Sequence, residues 1–232
     1  MKRFYKTVAV DAVDDGYVIT LDGRLVKTPG RAQLVLPTRA LADAVAAEWN
    51  TQEEDILPDS MHQTRLANTA LDRVAVRHED VVMEVAAFAG TDLLCYRADE
   101  PAELVAAQDA QWNPYLEWAA RRYGAALKST AGIMPVSQDP AALETLAAAV
   151  RGHDAFELTA LHALTNGLGS LVLALAYMEG FSPLEAVWQA SILDATHQEA
   201  AWGTDWEVED KRKKLHDELL AAAEFISHLR NK

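Results

Sequence analysis

The sequence predicts an α+β fold in which a small, strand-rich N-terminal domain precedes a larger all-α domain. Apolar residues alternate with a period of two between Phe4 and Pro37, and turn residues punctuate them in the manner of hairpins. From about Thr64 onward the apolar period is helical, and the composition changes from Val, Thr and Asp-Gly toward Ala, Leu and Glu. We therefore expect an antiparallel β-rich domain with one or two helices at residues 1–76 and a helical bundle at residues 77–232.

The N-terminal strands are delimited by their turn residues. A strand near residues 7–13 ends at Asp14-Asp15-Gly16, and a second strand follows at 17–21. Asp22-Gly23 is a two-residue loop that accepts positive φ at both positions, which predicts a type I′ hairpin into a strand at 24–28. After Pro29-Gly30 closes that strand, residues 33–36 are expected to add another.

The helices carry signals of their own. Thr38 is a good N-cap for a helix with one apolar stripe, and further helices are predicted near residues 64–76, 79–90, 101–123, 140–150, 155–179, 183–202 and 208–230. Pro114 cannot continue a hydrogen-bond ladder, so the helix that contains it is expected to be kinked or split, with Asn113 as a new cap. The helix at 155–179 is apolar on nearly every side over its second half, which predicts a central, buried position. The last helix has a single stripe and is expected at the periphery.

Composition limits the classes of partner. A formal net charge of -14 and a pI near 4.8 create a negative field, so we expect no nucleic-acid partner and no binding to anionic lipid. The longest apolar run, residues 168–178, is too short to span a bilayer, which predicts no membrane insertion. The single Cys95 excludes an internal disulfide. With no signal-peptide pattern at the start of the chain, the expected location is the bacterial cytoplasm, or the mitochondrial matrix for a processed eukaryotic form.

The chain lacks the common catalytic motifs. It contains no Gly-Lys-Ser/Thr phosphate loop, no His-Glu-x-x-His helix and no Gly-x-Ser-x-Gly elbow. Gly167-Leu168-Gly169 has no third glycine and no preceding strand, so helix packing explains it better than a dinucleotide. Nucleotide hydrolysis and the familiar hydrolase mechanisms therefore have no support in the sequence.

One stretch, residues 192–210, concentrates functional side chains: two tryptophans, a histidine, a glutamine and six carboxylates. Asp194 and His197 would lie on one helix face, as ligands do in di-metal carboxylate bundles. Such a site needs a second pair on a facing helix, and Asp59 with His62 has the spacing but follows Pro58 in a polar connection. A surface helix without metal is the favoured interpretation, and a helical metal-carboxylate enzyme that uses Asp194 and His197 stays open as an alternative.

The same helix also suits contact with another protein. Asp194, Gln198 and Trp202 share one side of the helix, and Gly203 ends it. Tryptophan beside hydrogen-bond acceptors is common in interface anchors, because it joins a large apolar area to a polar group. One alternative is that Trp202 simply packs between helices. Another is that the protein is a generic helical adaptor, which would use this surface to bind some other protein.

Ordered blocks along nearly the whole chain carry a resemblance to a known family. The blocks are RFYK at 3–6, LDGR and KTP within 21–29, LPT with LA and AxEW within 36–49, MHQTRLANTALD at 61–72, TDLLCYR at 91–97, EP near 100, QWNPYLEWAARRYG at 111–124 and HQEAAWG at 197–203. In these blocks the chain resembles the assembly chaperones of the F-type ATP synthase that act on its alpha subunit, the assembly factor 2 type of mitochondria and its alphaproteobacterial counterparts.

The resemblance implies a two-part molecule and a function that the motif search did not suggest. Members of this family bind the unassembled alpha subunit and prevent its aggregation until the beta subunit replaces them. A glutamate is typical of the family at the position of Asp194, so the carboxylate is kept here but is shorter by one methylene. The resemblance also implies a protein that is not an enzyme, with no catalytic residues, no cofactor and no small-molecule substrate. It implies Asp194, Gln198, Trp202 and Gly203 as partner-binding residues. We expect Asp194→Lys to weaken binding while leaving the melting temperature nearly unchanged.

Overall fold

The computed structural model describes residues 1–132, 134–203 and 205–231, without the side chains of Ala201 and Trp202. It confirms an α+β fold with a small antiparallel sheet near the N-terminus and a larger helical region. The strands are β1 (Val8–Val13), β2 (Gly16–Leu21), β3 (Arg24–Leu25), β4 (Val35–Leu36), β5 (Tyr96–Arg97) and β6 (Thr130–Ala131). The helices are α1 (Arg39–Asn50), α2 (His62–Thr69), α3 (His78–Ala86), α4 (Ala102–Tyr123), α5 (Pro140–Arg151), α6 (Ala155–Leu168), α7 (Leu171–Met178), α8 (Leu184–Ser191), α9 (Leu193–Trp202) and α10 (Trp206–Arg230).

The chain forms two compact units. The first comprises Met1–His78, Asp154–Ala160 and Leu220–Lys232, and the second comprises Glu79–His153 and Leu161–Leu219. The domain division at residue 76 stays a prediction. The two units differ from the predicted domains because residues 154–160 and 220–232 belong to the same unit as the N-terminal residues.

The sheet of the first unit is antiparallel and centred on β2. Strand β1 pairs with β2 from Val8 opposite Leu21 to Val13 opposite Gly16, and the short strands β3 and β4 also pair with β2. Asp22 and Gly23 have φ values of 50° and 76°, so the predicted hairpin turn has positive φ at both central positions. Strand β3 is shorter than the predicted 24–28 because only isolated contacts, such as the Lys27 and Gln33 bridge, extend it.

Two of the sequence blocks meet at Asp72 in the first unit. Thr28 Oγ1 donates to Asp72 Oδ1 at 2.6 Å, and the Gly30 backbone N–H donates to Asp72 Oδ2 at 2.7 Å. A Cβ atom on Gly30 would lie 2.6 Å from Asp72 Oδ1, closer than van der Waals contact allows. The glycine is therefore required by the close approach of this carboxylate.

Replacing Gly30 by alanine is expected to lower the free energy of unfolding by about 2 kcal/mol, because the methyl group displaces the Asp72 carboxylate and breaks both hydrogen bonds. In the Asp72→Ala background the same change is expected to cost less than about 0.5 kcal/mol, since the group it displaces is gone. Urea unfolding of the four proteins of this double-mutant cycle measures the coupling. If Gly30→Ala lowered the free energy of unfolding equally in both backgrounds, the close contact between Gly30 and Asp72 would not be the cause of the loss.

The C-terminal segment contributes to the core of the first unit. Gln63 Nε2 donates to the Ala221 carbonyl at 3.1 Å, and Phe156 stacks on Phe225 with ring centroids 6.2 Å apart. Phe225 is fully buried, and Ile226 is 2% exposed. The prediction that the last helix is peripheral was wrong for this segment, because apolar side chains outside the predicted stripe are also covered.

Helix α4 of the second unit runs without interruption from Ala102 to Tyr123, so the prediction of a split at Asn113 was wrong. Pro114 lies on the exposed face, where water can solvate the Ala110 carbonyl that loses its intrahelical donor. The opposite face is buried and holds the helix in place. Its members are Leu104, Gln108, Trp112, Tyr115, Trp118 and Ala119.

The predicted helix at 155–179 is two helices, α6 and α7. Gly169 has φ +65°, and the Ser170 hydroxyl caps α7 by accepting a hydrogen bond from the Leu173 N–H at 3.0 Å. Gly167 has the packing role that the sequence predicts, because a Cβ atom there would meet the Leu219 side chain at 2.7 Å. Helix α7 is buried on nearly every side, as its apolar sequence predicts.

Asp92 is a fully buried carboxylate that joins the segment before β5 to the start of α7. Its Oδ1 accepts hydrogen bonds from Ser170 Oγ at 2.7 Å and from the Leu94 N–H at 3.1 Å, and its Oδ2 accepts one from the Val172 N–H at 3.1 Å. Burial raises the pKa of Asp92 from 3.8 to about 6, against the lowering effect of these donors. Burial, and after it the charge of Asp92, also raise the pKa of the Cys95 thiol to about 12, so Cys95 is not a reactive thiolate at neutral pH.

The raised pKa of Asp92 predicts a specific pH dependence of stability. Between about pH 4 and pH 6 the folded state keeps the proton that the unfolded state has released, so stability falls as the pH rises. A tenfold change in proton affinity corresponds to about 1.4 kcal/mol. The stability of the wild type relative to Asp92→Asn, which does not titrate, should therefore fall by about 2 kcal/mol between pH 4 and pH 7, because the unfolded carboxyl is already partly deprotonated at pH 4. Urea unfolding of both proteins over this range measures the difference, and a constant difference would contradict the assignment.

Strands β5 and β6 are a pair that the sequence did not indicate. Tyr96 pairs with Thr130 and Arg97 pairs with Ala131, in parallel. Two residues are too few to show an alternating pattern, so no signal of a strand was available after Thr64. The pair fixes the backbone at Arg97, next to the site described below.

Candidate functional site

Helix α9 begins at a junction that is fixed by a buried tryptophan. Ile192 separates α8 from α9, so the predicted helix at 183–202 is also two helices. Trp112 on α4 is fully buried, and its indole Nε1–H donates to the Ala190 carbonyl at 2.8 Å, just before the junction. Trp118, also on α4, is 9% exposed, so both tryptophans belong to the core. The start of α9 is therefore held against α4.

Asp194 lies in the first turn of α9 and is half-buried. Its Oδ1 accepts a hydrogen bond from Gln108 Nε2 at 2.7 Å. The Gln108 side chain is 1% exposed, and its Oε1 accepts a hydrogen bond from the Ala98 N–H at 2.8 Å. A carboxylate in the first turn of a helix also interacts favourably with the helix dipole. Asp194 is thus a fixed group at the edge of the buried region.

Arg97 contacts α4 close to this pair. Its Nε donates to the Leu94 carbonyl at 2.7 Å, one terminal nitrogen donates to Asn113 Oδ1 at 2.9 Å, and its guanidinium lies 5.1 Å from the centre of the Trp112 ring. Burial lowers the pKa of Arg97, while the charges of Asp109 and Asp194 act in the opposite direction. The guanidinium therefore provides a positive charge that interacts with the carboxylates of Asp109 and Asp194.

The second half of α9 is fixed by an ion pair with α10. Both terminal nitrogens of Arg212 donate to the Glu199 carboxylate, a bidentate arrangement. The hydrogen bonds from Arg212 lower the pKa of Glu199, so this carboxylate stays ionised at neutral pH. Gln108 and Arg212 contact α9 at successive points along its length, and they leave the side that carries Gln198 exposed.

Among the predicted site residues, the structure brings Asp194 and Gln198 onto adjacent turns of α9. Asp194 is bonded inward to Gln108, and Gln198 is exposed to solvent. Gly203 ends α9 with φ +84° and ψ 166°, a conformation that is almost restricted to glycine, and its N–H donates to the Glu199 carbonyl at 2.8 Å. The side chain of Trp202 lies outside the described residues. The surface formed by Asp194, Gln198 and Gly203 is called the α9 surface below.

A metal site at Asp194 would need further ligands. In the described part of the chain, no group of three or more His, Cys, Asp and Glu side chains is arranged to hold a metal ion. Asp194 already uses one carboxylate oxygen as the acceptor for Gln108. The described helices also include none that is both long enough and apolar enough to cross a membrane.

A groove of about 280 Å³ lies beside the ion pair of α9 and α10, lined by Trp188, Glu209, Arg212, Lys213 and His216. Its basic residues belong to the run at 211–214 on α10. Lys213 pairs with Asp217 at 2.8 Å, and Lys214 pairs with Asp210 at 2.7 Å. Arg212 and Lys213, the two basic residues that line the groove, are thus each paired with a carboxylate, so they offer no excess positive charge to an anion there.

Gln108 and Arg97 are site residues that the sequence reasoning missed. Gln108 interrupts the buried stripe of α4 between Leu104 and Trp112, and a polar residue at a buried position requires a hydrogen-bonding partner. That interruption was the available signal. It could not identify Asp194 as the partner, because the two residues are 86 positions apart.

The structure is similar to solved structures along its whole length. A crystal structure of Atp12 from Paracoccus denitrificans is 39% identical, with a TM-score of 0.95 over 99% of this chain and 98% of that chain. A mutant form of that protein gives the same values. A protein from Agrobacterium tumefaciens is 38% identical, with a TM-score of 0.94 over 99% of this chain and 86% of that chain.

Sequence comparison points to the same class of protein. The mitochondrial protein atp12 of Schizosaccharomyces pombe is 23% identical over 241 residues, which cover 97% of this chain and 82% of that protein. The family profile described as ATP12 chaperone protein matches residues 2–120. Fold and sequence together define an assembly chaperone of the ATP synthase. The chain belongs to the ATP12 chaperone family.

Proposed function

We propose that this protein is a non-enzymatic chaperone that binds the unassembled alpha subunit of the ATP synthase and prevents its aggregation until the beta subunit replaces it. The observation that carries the proposal is the end-to-end similarity to Atp12 of Paracoccus denitrificans, at 39% identity and a TM-score of 0.95. The sequence blocks that resemble alpha-subunit chaperones extend over the same length of chain.

The physical requirements of such a chaperone agree with the composition of the chain. A subunit of an obligate complex exposes apolar interface when it is alone, and such surfaces aggregate. A chaperone that covers one of them needs no nucleotide hydrolysis if the next subunit binds more tightly. The sequence has no phosphate-loop motif, and its net charge of -14 favours solubility while a sticky partner is bound.

We further propose that the α9 surface, together with Trp202, contacts the alpha subunit. Gln198 and Gly203 are exposed, and Asp194 stands at the border between this exposed surface and the buried side of α9. Because Gln108 and Arg212 fix the helix, little side-chain and backbone entropy would be lost at this surface on binding. Gly203 would act by ending the helix and turning the chain at this point.

Co-purification tests the proposed function. Tagged protein at near-native expression should retain free alpha subunit from a native lysate, and deletion of the gene should reduce the assembled ATP synthase. Repeated failure to retain alpha subunit, with normal assembly after deletion, would refute the proposal. A different dominant partner in an unbiased pull-down would favour a generic helical adaptor, and stoichiometric iron, manganese or zinc in protein purified without chelators would favour a metal enzyme.

The proposed location follows the host. The Schizosaccharomyces pombe relative is named as mitochondrial. For this chain we propose the cytoplasm of a bacterium, the compartment in which a bacterial alpha subunit is synthesised, or the mitochondrial matrix for a processed eukaryotic form. Fractionation with detection of the alpha subunit in the same fraction tests this assignment.

A further inference from the structure

Gln108 is a buried amide with both ends occupied. Its Oε1 faces the Ala98 N–H, which can only donate, so its Nε2 must face Asp194, which accepts. The amide orientation is therefore determined by the hydrogen-bond network. Since the glutamine is 1% exposed and sits within the buried stripe of α4, it has little freedom to follow a moving carboxylate.

As a result, one of the two carboxylate oxygens of Asp194 is hydrogen-bonded to a buried side chain. Oδ1 is bonded to Gln108, and no other described residue makes a hydrogen bond to Oδ2. One oxygen of the carboxylate is thus fixed, and the other is left to bind a donor. Among the described charged groups, Arg97 interacts with both Asp194 and Asp109. In the sequence, Asp109 follows Gln108 on α4, and His197 follows Asp194 by three residues on α9.

We propose that Gln108 is a positioning residue, which holds the Asp194 carboxylate so that Oδ2 meets a hydrogen-bond donor of the alpha subunit. This inference rests on the proposed contact between the α9 surface and that subunit. Gln108 does not touch the client. It acts only through Asp194. Binding therefore requires a carboxylate at position 194 on α9, and a carboxylate at position 108 on α4 cannot replace it.

Two variants separate this role from a structural one. In Gln108→Glu, two carboxylates face each other, so Asp194 turns away unless the pair shares a proton. Sharing a proton raises the pKa of such a pair, and the shared proton restores a donor to Asp194 Oδ1. The double variant Gln108→Glu with Asp194→Asn exchanges the two groups. The amide at position 194 on α9 then donates to the carboxylate at position 108 on α4, so the hydrogen bond is kept and the negative charge is moved to α4. That variant preserves the contact but moves the carboxylate.

The assay follows the aggregation of purified alpha subunit by light scattering. The quantity measured is the concentration of full-length chaperone that reduces the scattering by half. At about pH 8, Gln108→Glu should need at least about tenfold more protein than the wild type, and the deficit should shrink to within about threefold at about pH 5.5. The double variant should melt close to the wild type and yet remain weakened about tenfold at both pH values. Circular dichroism and melting temperature show that each variant is folded.

The outcomes distinguish this inference from the proposed function. Wild-type activity of Gln108→Glu at about pH 8, or wild-type activity of the double variant, would overturn the positioning role. If Gln108→Glu does not fold, Gln108→Met takes its place, because it removes the amide donor and keeps the Asp194 carboxylate; wild-type activity of Gln108→Met at about pH 8 would likewise overturn the positioning role. If Asp194→Lys also suppresses aggregation as well as the wild type, the proposed contact at Asp194 is wrong as well. If the wild type itself does not suppress aggregation, the proposed function fails.

Discussion

Replacing Asp92 by alanine is expected to lower the free energy of unfolding by about 3 kcal/mol at neutral pH. The change leaves the Ser170 hydroxyl and the backbone N–H groups of Leu94 and Val172 buried without their acceptor. Each such group costs about 1–3 kcal/mol, and relief of the buried negative charge offsets part of the sum. Urea unfolding followed by circular dichroism measures the loss.

Asp139→Ala is the matched control for Asp92→Ala. Like Asp92, Asp139 accepts a hydrogen bond from a backbone N–H at the start of a helix, that of Ala141 in α5 at 2.9 Å, but Asp139 is exposed. Its loss should cost only about 1 kcal/mol, because water can satisfy the freed donor. Equal losses for the two variants would show that burial of Asp92 is not the source of its importance.

Replacing Asp194 by lysine is expected to weaken binding to the alpha subunit by about 30-fold or more, which is about 2 kcal/mol. The lysine reverses the charge at the α9 surface and removes the acceptor for Gln108. Because Asp194 is half-buried, we now expect a loss of about 1 kcal/mol in stability as well, larger than for a fully exposed carboxylate. Binding is measured by titration of labelled alpha subunit at constant ionic strength.

Asp15→Lys controls for the change in net charge. Asp15 is an exposed turn residue between β1 and β2, so its reversal changes the total charge by the same amount and leaves the α9 surface intact. Its affinity should stay within about twofold of the wild type. A comparable loss for both variants would assign the effect to the overall field of the protein and not to the α9 surface.

The features that the sequence predicted are those whose causes lie within a few residues. The Asp22-Gly23 turn is an example, because only the positive φ at two adjacent positions has to be recognised. The end of α9 at Gly203 is another. The family was predicted from many ordered blocks, each of which is a weak signal alone.

The features that were missed depend on partners distant in sequence. The break between α6 and α7 does have a local signal, Gly169 followed by the capping residue Ser170, but apolar residues on both sides of it favoured one helix. Ser170 is in addition bonded to Asp92, which is 78 positions away. Gln63 is bonded to the Ala221 carbonyl, 158 positions away, so no local pattern could assign residues 220–232 to the first unit. The Gln108 and Asp194 pair was missed for the same reason.

The most direct test of the account is a displacement experiment with purified components. The chaperone should form a stoichiometric complex with free alpha subunit and keep it soluble, and added beta subunit should release the chaperone as alpha and beta associate, without any nucleotide hydrolysis. Size-exclusion chromatography with mass determination follows all three species. A chaperone that forms no complex with free alpha subunit, or that stays bound after beta has joined, would contradict the account.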